Sequence, residues 1–567
     1  MKNLIKALIL FTFVLFLLAG NIYPQNFIIH LKHYSLNLTS NEGGREIVRV
    51  NPYSIYSHWA IAGTVHSTPG TNGTDWILLK IDEWGFVICE KHFGFLENDS
   101  CFSITSLTSP GDRFILAGFY KWQFAPNQEA AWSMFDSNCN HIMTRKIRNL
   151  AGSNYRQVIK VPYSDFALTG YMKSQESMQL KDNIIATKYN VLGNMIWGFR
   201  YMINPLSNER AYSICFNPVD STYAITGVTD VFRGNYPGTN DIFILKTDKN
   251  GIPIWFKVYK VNVTFTSEAN KIIVLPDGYA VTGWTNASGA PNGDLWLLKT
   301  DFNGNVLWSR TWGQIGKEVG FTLQYYPSNN WIYYGGFENT TGSEDLLWGI
   351  VNNATGLGVG IPKVYINLNG NDRVYDIKLN YINATTISSV VSTGELHKVT
   401  GSSPHFDMFY SRVPANLSYL GCYSDHILAT YELMPGIDSL PAIVFPIQDS
   451  VLSPQVNTTL PLLGDECIPI GIKEMEQPKI QGYDLKQNYP NPFNPITRIQ
   501  YQIPEDANVI IEIYNVLGQK IYTLLNEYSR KGIYYIDFNG SNLSSGLYYC
   551  VMTSNNFRKS ISILLLK

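Results

Sequence analysis

From Leu295 to Thr300 the chain is nearly apolar throughout, and Asp301-Phe302-Asn303-Gly304 then breaks the run. A short continuous apolar run predicts a strand covered on both faces. The break predicts a tight hairpin, because Asp and Asn side chains bond their own backbone and Gly accepts a positive φ. Asn305 opens the returning strand, and Trp308 follows Gly304 by four residues. The same pattern returns as DIFILKTDKNGIPIW (241–255), DWILLKIDEWGFVIC (75–89) and NIIATKYNVLGNMIW (183–197). Weaker copies keep the spacing of Glu129 to Asp136 and of Asp345 to Asn352, and the weakest keeps Asp407 with an aromatic run.

A second marker precedes each copy, a small apolar strand ending in glycine: Gly63, Gly118, Gly170, Gly227, Gly283, Gly336 and Gly394. Successive gaps are 55, 52, 57, 56, 53 and 58 residues. About four short strands in each such period is the pattern of a β-propeller. Seven blades are preferred over eight. The segment FIIHLKHY (27–34) resembles the outer strand after Trp308, so the N-terminal strand is expected to complete the last blade, which removes free sheet edges. The alternative is an eighth, incomplete blade from residues 425–460. Residues 425–484, rich in Pro, Ser, Thr and Asn, read as loose strands and a linker.

Composition narrows the picture. The 567 residues carry 16% charged and 14% aromatic residues, with 36 Tyr, which suits a rigid β-rich chain of more than one domain. A net charge of −2 favours neither nucleic acid nor an anionic membrane as partner. Residues 1–25 have the form of a secretory signal peptide: Lys2 and Lys6, an apolar stretch from Leu8 to Leu18, then Ala19-Gly20. No Cys follows Ala19-Gly20, which argues against a lipoprotein anchor. The seven cysteines show no CxxC and no zinc spacing; Cys422 with Cys467 is the one disulfide considered, and buried free thiols are the alternative.

The tail carries the most specific motifs. They are Asn488-Tyr489-Pro490-Asn491-Pro492-Phe493-Asn494-Pro495, Ile513-Tyr514-Asn515-Val516-Leu517-Gly518-Gln519, Ser545-Gly546-Leu547-Tyr548, and a closing basic-then-apolar strand from Lys559 to Lys567. In this order they resemble the type A C-terminal sorting domain of the type IX secretion system. Short β-rich runs such as Val509 to Tyr514, with turns at Gly518 and Gly546, predict a small Ig-like β-sandwich over 485–567. The resemblance implies handling by the type IX machinery of a Gram-negative cell, by way of the periplasm. Release or attachment to the outer-membrane surface follows. The repeats of 26–424 also resemble those of propeller proteins that carry such tails, a likeness that bears on fold alone.

No chemistry stands out in the repeats. The Asp-x-Asn-Gly turns at Asp248 and Asp301 resemble the start of a calcium loop, but the twelfth position from Asp301 is Trp312, not Glu. Trp197, Trp255 and Trp308 resemble the docking tryptophans of quinoprotein dehydrogenases, which are structural, and no vicinal cysteines accompany them. HExxH and Gly-x-Ser-x-Gly are both missing from the sequence. Asp75, Asp241, Asp294 and Asp345 start the same strand in different units, as a scaffold position would. No metal or cofactor is expected. Loops at 121–130, 172–182, 231–240 and 284–293 vary between units and are expected on one face of the ring. Their aromatics Trp122, Phe124, Phe232, Tyr236 and Trp284, beside Asn and Gly, suit a glycan or protein ligand. Two functions remain: an exported non-enzymatic binding or adhesion module, and a secreted propeller enzyme acting on polysaccharide, a glycoside hydrolase or lyase.

Overall fold

In the computed structural model, the chain divides into two compact units, residues 1–470 and 471–567. The structure describes most of residues 30–415, seven short strands between 424 and 465, and residues 482–566 with a few breaks. The segment read as a signal peptide lies outside the described residues, as do Cys422 and Cys467.

The first unit is all-β and consists of repeated, blade-like antiparallel sheets, of which seven are described. The sheet around the opening stretch shows the plan. Ser267–Leu275, Gly278–Thr285, Asp294–Thr300 and Val306–Gly313 pair in sequence order. Every residue of Asp294–Thr300 is buried, as a strand covered on both faces requires. The turn at Asp301 forms as its chemistry dictates. Its Oδ1 accepts from the N–H groups of Asn303 (2.9 Å) and Asn305 (2.8 Å), and Gly304 sits at φ 76°.

The first strands of the sheets lie side by side in chain order, and Arg373–Tyr381 of the last returns to Glu42–Val50 of the first. His30–Ser35 pairs antiparallel with Ser403–Pro414, so the N-terminal strand becomes the fourth strand of the seventh sheet. Aromatic side chains of one sheet dock on the turn of the next. Tyr201 Oη–H donates to the Gly251 carbonyl (2.8 Å), Tyr259 to Gly304 (2.9 Å), Trp308 Nε1–H to Asn353 (2.9 Å) and Tyr34 to Gly85 (2.7 Å). A disulfide between Cys89 and Cys139 adds a covalent tie between the first and second sheets.

The described strands between 424 and 465 do not pair with one another. Ser424–Asp425, Ala429–Glu432, Gly436–Leu440, Ile443–Pro446, Asp449–Leu452, Gln455–Asn457 and Leu462–Asp465 each add a fifth strand to a different sheet. They visit the sheets in the order sixth, fifth, fourth, third, second, first, seventh. The chain therefore runs as a belt around the outer edges. Its strands start five to seven residues apart, a step that spans roughly 17–25 Å of extended chain.

In the second unit, Asp484–Leu485, Ile496–Ile503 and Gly532–Asn539 form one sheet, and Ala507–Tyr514, Lys520–Ser529, Gly546–Ser554 and Phe557–Leu565 form another. Leu485, Ile499, Phe538, Ile511, Cys550 and Ile563 share a single core, so both sheets bury one face against it. The proline-rich motif is sewn to the closing strand. Phe493 N–H donates to the Leu564 carbonyl (2.8 Å), Leu566 N–H to the Phe493 carbonyl (2.9 Å), and Leu564 N–H to Asn491 Oδ1 (2.8 Å).

Candidate functional site

Each first strand of the seven sheets carries a β-bulge near its beginning. The register shifts at Gly44/Glu46, Cys101/Ser103, Tyr155/Gln157, Ala211/Ser213, Ala269/Lys271, Gly320/Thr322 and Val374/Asp376. The bulge explains the marker glycines. A Cβ at Gly63, Gly118, Gly170, Gly227, Gly283, Gly336 or Gly394 would come within 1.9 Å of a carbonyl oxygen of the bulged strand, so no side chain fits there. The extra residue of each bulge is Arg45, Phe102, Arg156, Tyr212, Asn270, Phe321 and Tyr375 in turn, and all seven line one cavity of about 360 Å3.

The residue after each bulge is polar in every sheet: Glu46, Ser103, Gln157, Ser213, Lys271, Thr322 and Asp376. Six of these side chains accept a backbone N–H from the neighbouring sheet. Ile104 donates to Glu46 (3.1 Å), Val158 to Ser103 (2.9 Å), Ile214 to Gln157 (2.7 Å), Ile272 to Ser213 (3.0 Å), Ile377 to Thr322 (3.4 Å) and Ile47 to Asp376 (3.1 Å). Lysine has no acceptor, so Lys271 breaks the series. Its Nζ instead crosses to Glu46 Oε1 (3.0 Å), and Asn270 Nδ2 spans that junction to the Gly320 carbonyl (2.9 Å). Burial lowers the Lys271 pKa, but Glu46 and Asp376 outweigh it and leave the ammonium held above its ordinary value.

The cations above this polar ring are mostly paired. Arg45 meets Glu395 at 2.8 Å and lies 4.1 Å over the Tyr375 ring, while Arg373 bonds Glu344. Burial acts against the charged Arg45, and Glu395 overrides it, so its pKa rises. Arg156 differs. Its guanidinium stacks 4.1 Å from the Phe102 ring centroid and 5.2 Å from that of Tyr212, and among the described residues it makes no hydrogen bond or ion pair. Burial pulls its pKa down, only partly offset by Tyr171 and Tyr212. Tyr212 is raised by burial, with Glu268 adding to the effect and Arg156 opposing it.

Of the aromatics singled out in the sequence, Trp122, Phe124, Phe232 and Tyr236 lie outside the described residues. Trp284 is half-buried and does not line the cavity. Its Nε1–H donates to Glu268 Oε2 (3.1 Å), and Lys317 Nζ sits 4.1 Å over its ring. The repeated acids lie within the sheets. Asp241, Asp294 and Asp345 are buried, Asp294 stands against Gly313, and burial raises Asp75 to about 6. Among the described residues no cluster of three or more His, Cys, Asp or Glu could hold a metal ion. The cavity residues escaped sequence reading because a bulge has no periodic signature. The offset from bulge residue to marker glycine runs from 13 (Asn270 to Gly283) to 19 (Tyr375 to Gly394) with hairpin length.

No curated protein sequence matches the chain. Among solved structures, Sqt1 from Chaetomium thermophilum is 11% identical over 68% of this chain and 98% of its own, with a TM-score of 0.39. The same protein bound to the N-terminus of the ribosomal protein L10 gives 11% identity over 67% and 98%, with a TM-score of 0.36. The Bombyx mori GH32 β-fructofuranosidase BmSUC1 is 11% identical over 72% and 94%, with a TM-score of 0.24. Likenesses this loose assign no activity. The tail is different: residues 487–565 match the family described as a secretion system C-terminal sorting domain. The chain thus joins repeated blade-like sheets to a secretion system C-terminal sorting domain, as an exported protein does.

Proposed function

We propose that this chain is a seven-bladed β-propeller exported by type IX secretion to the medium or the cell surface, where it binds a ligand without turning it over. The carrying observation is the cavity. Elsewhere the repeats place equivalent residues in equivalent roles, whereas the seven bulge positions hold Arg, Phe, Arg, Tyr, Asn, Phe and Tyr. A ring scaffold diversified at its bulges presents an irregular surface on a rigid frame, as recognition requires. The cyclic neighbouring of the first strands supports closure at seven blades. The two carboxylates in the lining argue for binding over glycoside chemistry. Glu46 is bonded to Ser103, the Ile104 N–H and Lys271, and Asp376 to Thr322, the Ile47 N–H and Lys378. Neither stands ready as the general acid or nucleophile that a pair of catalytic carboxylates supplies.

Export is tested by deleting residues 485–567. The deleted chain should accumulate in the periplasm, and secretion at the wild-type level would overturn the assignment of the tail's role.

A further inference from the structure

The unspoken-for polar groups of the cavity are not spread around the ring. They form one arc on the third, fourth and fifth sheets. Arg156 contributes a guanidinium with no anionic partner among the described residues. Gln157 contributes its Nε2. Its Oε1 accepts from Ser213 Oγ (2.7 Å) and the Ile214 N–H (2.7 Å), which fixes the amide orientation and leaves the NH2 group over. Tyr212 contributes its hydroxyl, which makes no hydrogen bond among the described residues. Asn270 contributes its Oδ1, since its Nδ2 must face the Gly320 carbonyl. Arg156, Gln157 and Tyr212 are donors and Asn270 is one acceptor, all lining the same cavity.

This set has a defined complement. A guanidinium clamped between two aromatic rings is pre-oriented and presents its N–H edge, which suits bidentate pairing with a planar carboxylate. Holding a half-buried cation without an anionic partner is costly, and a bound anion reduces that cost. The Tyr212 hydroxyl and Asn270 Oδ1, a donor and an acceptor lining the same cavity from neighbouring sheets, match ring hydroxyls. Phe321 and Tyr375 also line the cavity and add aromatic surface for the C–H groups of a sugar. The volume of about 360 Å3 admits one or two sugar rings and little more.

We propose that the arc of Arg156, Gln157, Tyr212 and Asn270 binds a uronate, an acidic sugar whose carboxylate pairs with Arg156. This rests on the reading of the chain as a binding propeller and names its ligand. The test is isothermal titration of the full secreted chain with galacturonate, glucuronate, their dimers and trimers, and neutral glucose and galactose oligomers. Uronates should bind and the neutral sugars should bind at least tenfold more weakly, with uronate affinity falling as salt rises. Monomer binding as tight as the trimer would assign a free acid sugar, and a gain on lengthening would assign a polysaccharide end; both support the proposal. Arg156→Gln should lose at least tenfold in uronate affinity. Tyr212→Phe should lose a few-fold, a second readout should the first variant fold poorly. Equal uronate binding by wild type and Arg156→Gln, or none by wild type, would overturn the uronate assignment. Neutral-sugar binding without uronate binding would overturn the acid chemistry alone and leave the binding role standing, whereas cleavage of any oligomer would overturn the non-enzymatic reading itself.

Discussion

Glu209 sits fully buried at the start of Glu209–Asn217. Ser207 and Thr229 (3.3 Å) donate hydroxyl hydrogens to its Oε1, while Oε2 meets no partner at hydrogen-bond distance and angle among the described residues. Burial, aided by nearby Asp230 and opposed by the Ser207 and Thr229 bonds, raises its pKa from 4.5 to about 7. Unfolding restores the ordinary value. Between the two values the folded chain keeps a proton that the unfolded chain has released, so stability falls as pH rises through this window. The contribution is fully present below 4.5 and gone above about 7. At 1.36 kcal/mol per pKa unit the loss is roughly 3 kcal/mol. Glu209→Gln keeps the shape and the acceptor oxygen and cannot ionise. Urea unfolding of the intact chain should therefore find the variant more stable than wild type at pH 8.5, by about 2–3 kcal/mol. The advantage should vanish toward pH 4.5. A gap that does not change with pH, or a wild type that is the more stable at pH 8.5, would refute the reasoning.

Two further outcomes follow from the covalent and edge architecture. The Cys89–Cys139 disulfide spans 50 residues of sequence, and a cross-link of that span restricts the unfolded chain by about 4 kcal/mol on loop-entropy grounds. Replacing both cysteines by Ser should lower unfolding stability by about 2–4 kcal/mol, and an unchanged urea midpoint would show that the tie adds nothing. Deleting residues 416–470 while keeping the sorting tail removes all seven fifth strands and bares an outer edge on every sheet. Bared edges template pairing between chains, so the product should self-associate in light scattering, and a stable monomer would show the belt to be dispensable.

The repeat was legible because its signals are local. Asp301 to Gly304 form their turn within five residues, and the glycine opposite each bulge must lack a side chain whatever surrounds it. Placement of His30–Ser35 in the last sheet was legible too, since that sheet lacked a fourth strand. The belt was not. Its strands are two to five residues long, and each pairs with a strand between 60 and 433 residues away, so no local alternation marks it. Cys89 and Cys139 meet because neighbouring sheets bring a fourth strand against a turn, a juxtaposition that spacing alone does not reveal. Arg156 stayed hidden for a related reason. Its neighbours Phe102 and Tyr212 come from the adjoining sheets, and only the packing of one sheet on the next makes them one site.

The most direct test of the account is made on the intact secreted chain against a panel of plant, algal and bacterial polysaccharides. Retention of the protein and release of new reducing ends would be measured in the same tube. The account predicts retention on an acidic polysaccharide, competed by free uronate, with no new reducing ends over the incubation. New reducing ends that depend on the protein would contradict it and turn the cavity into an active site.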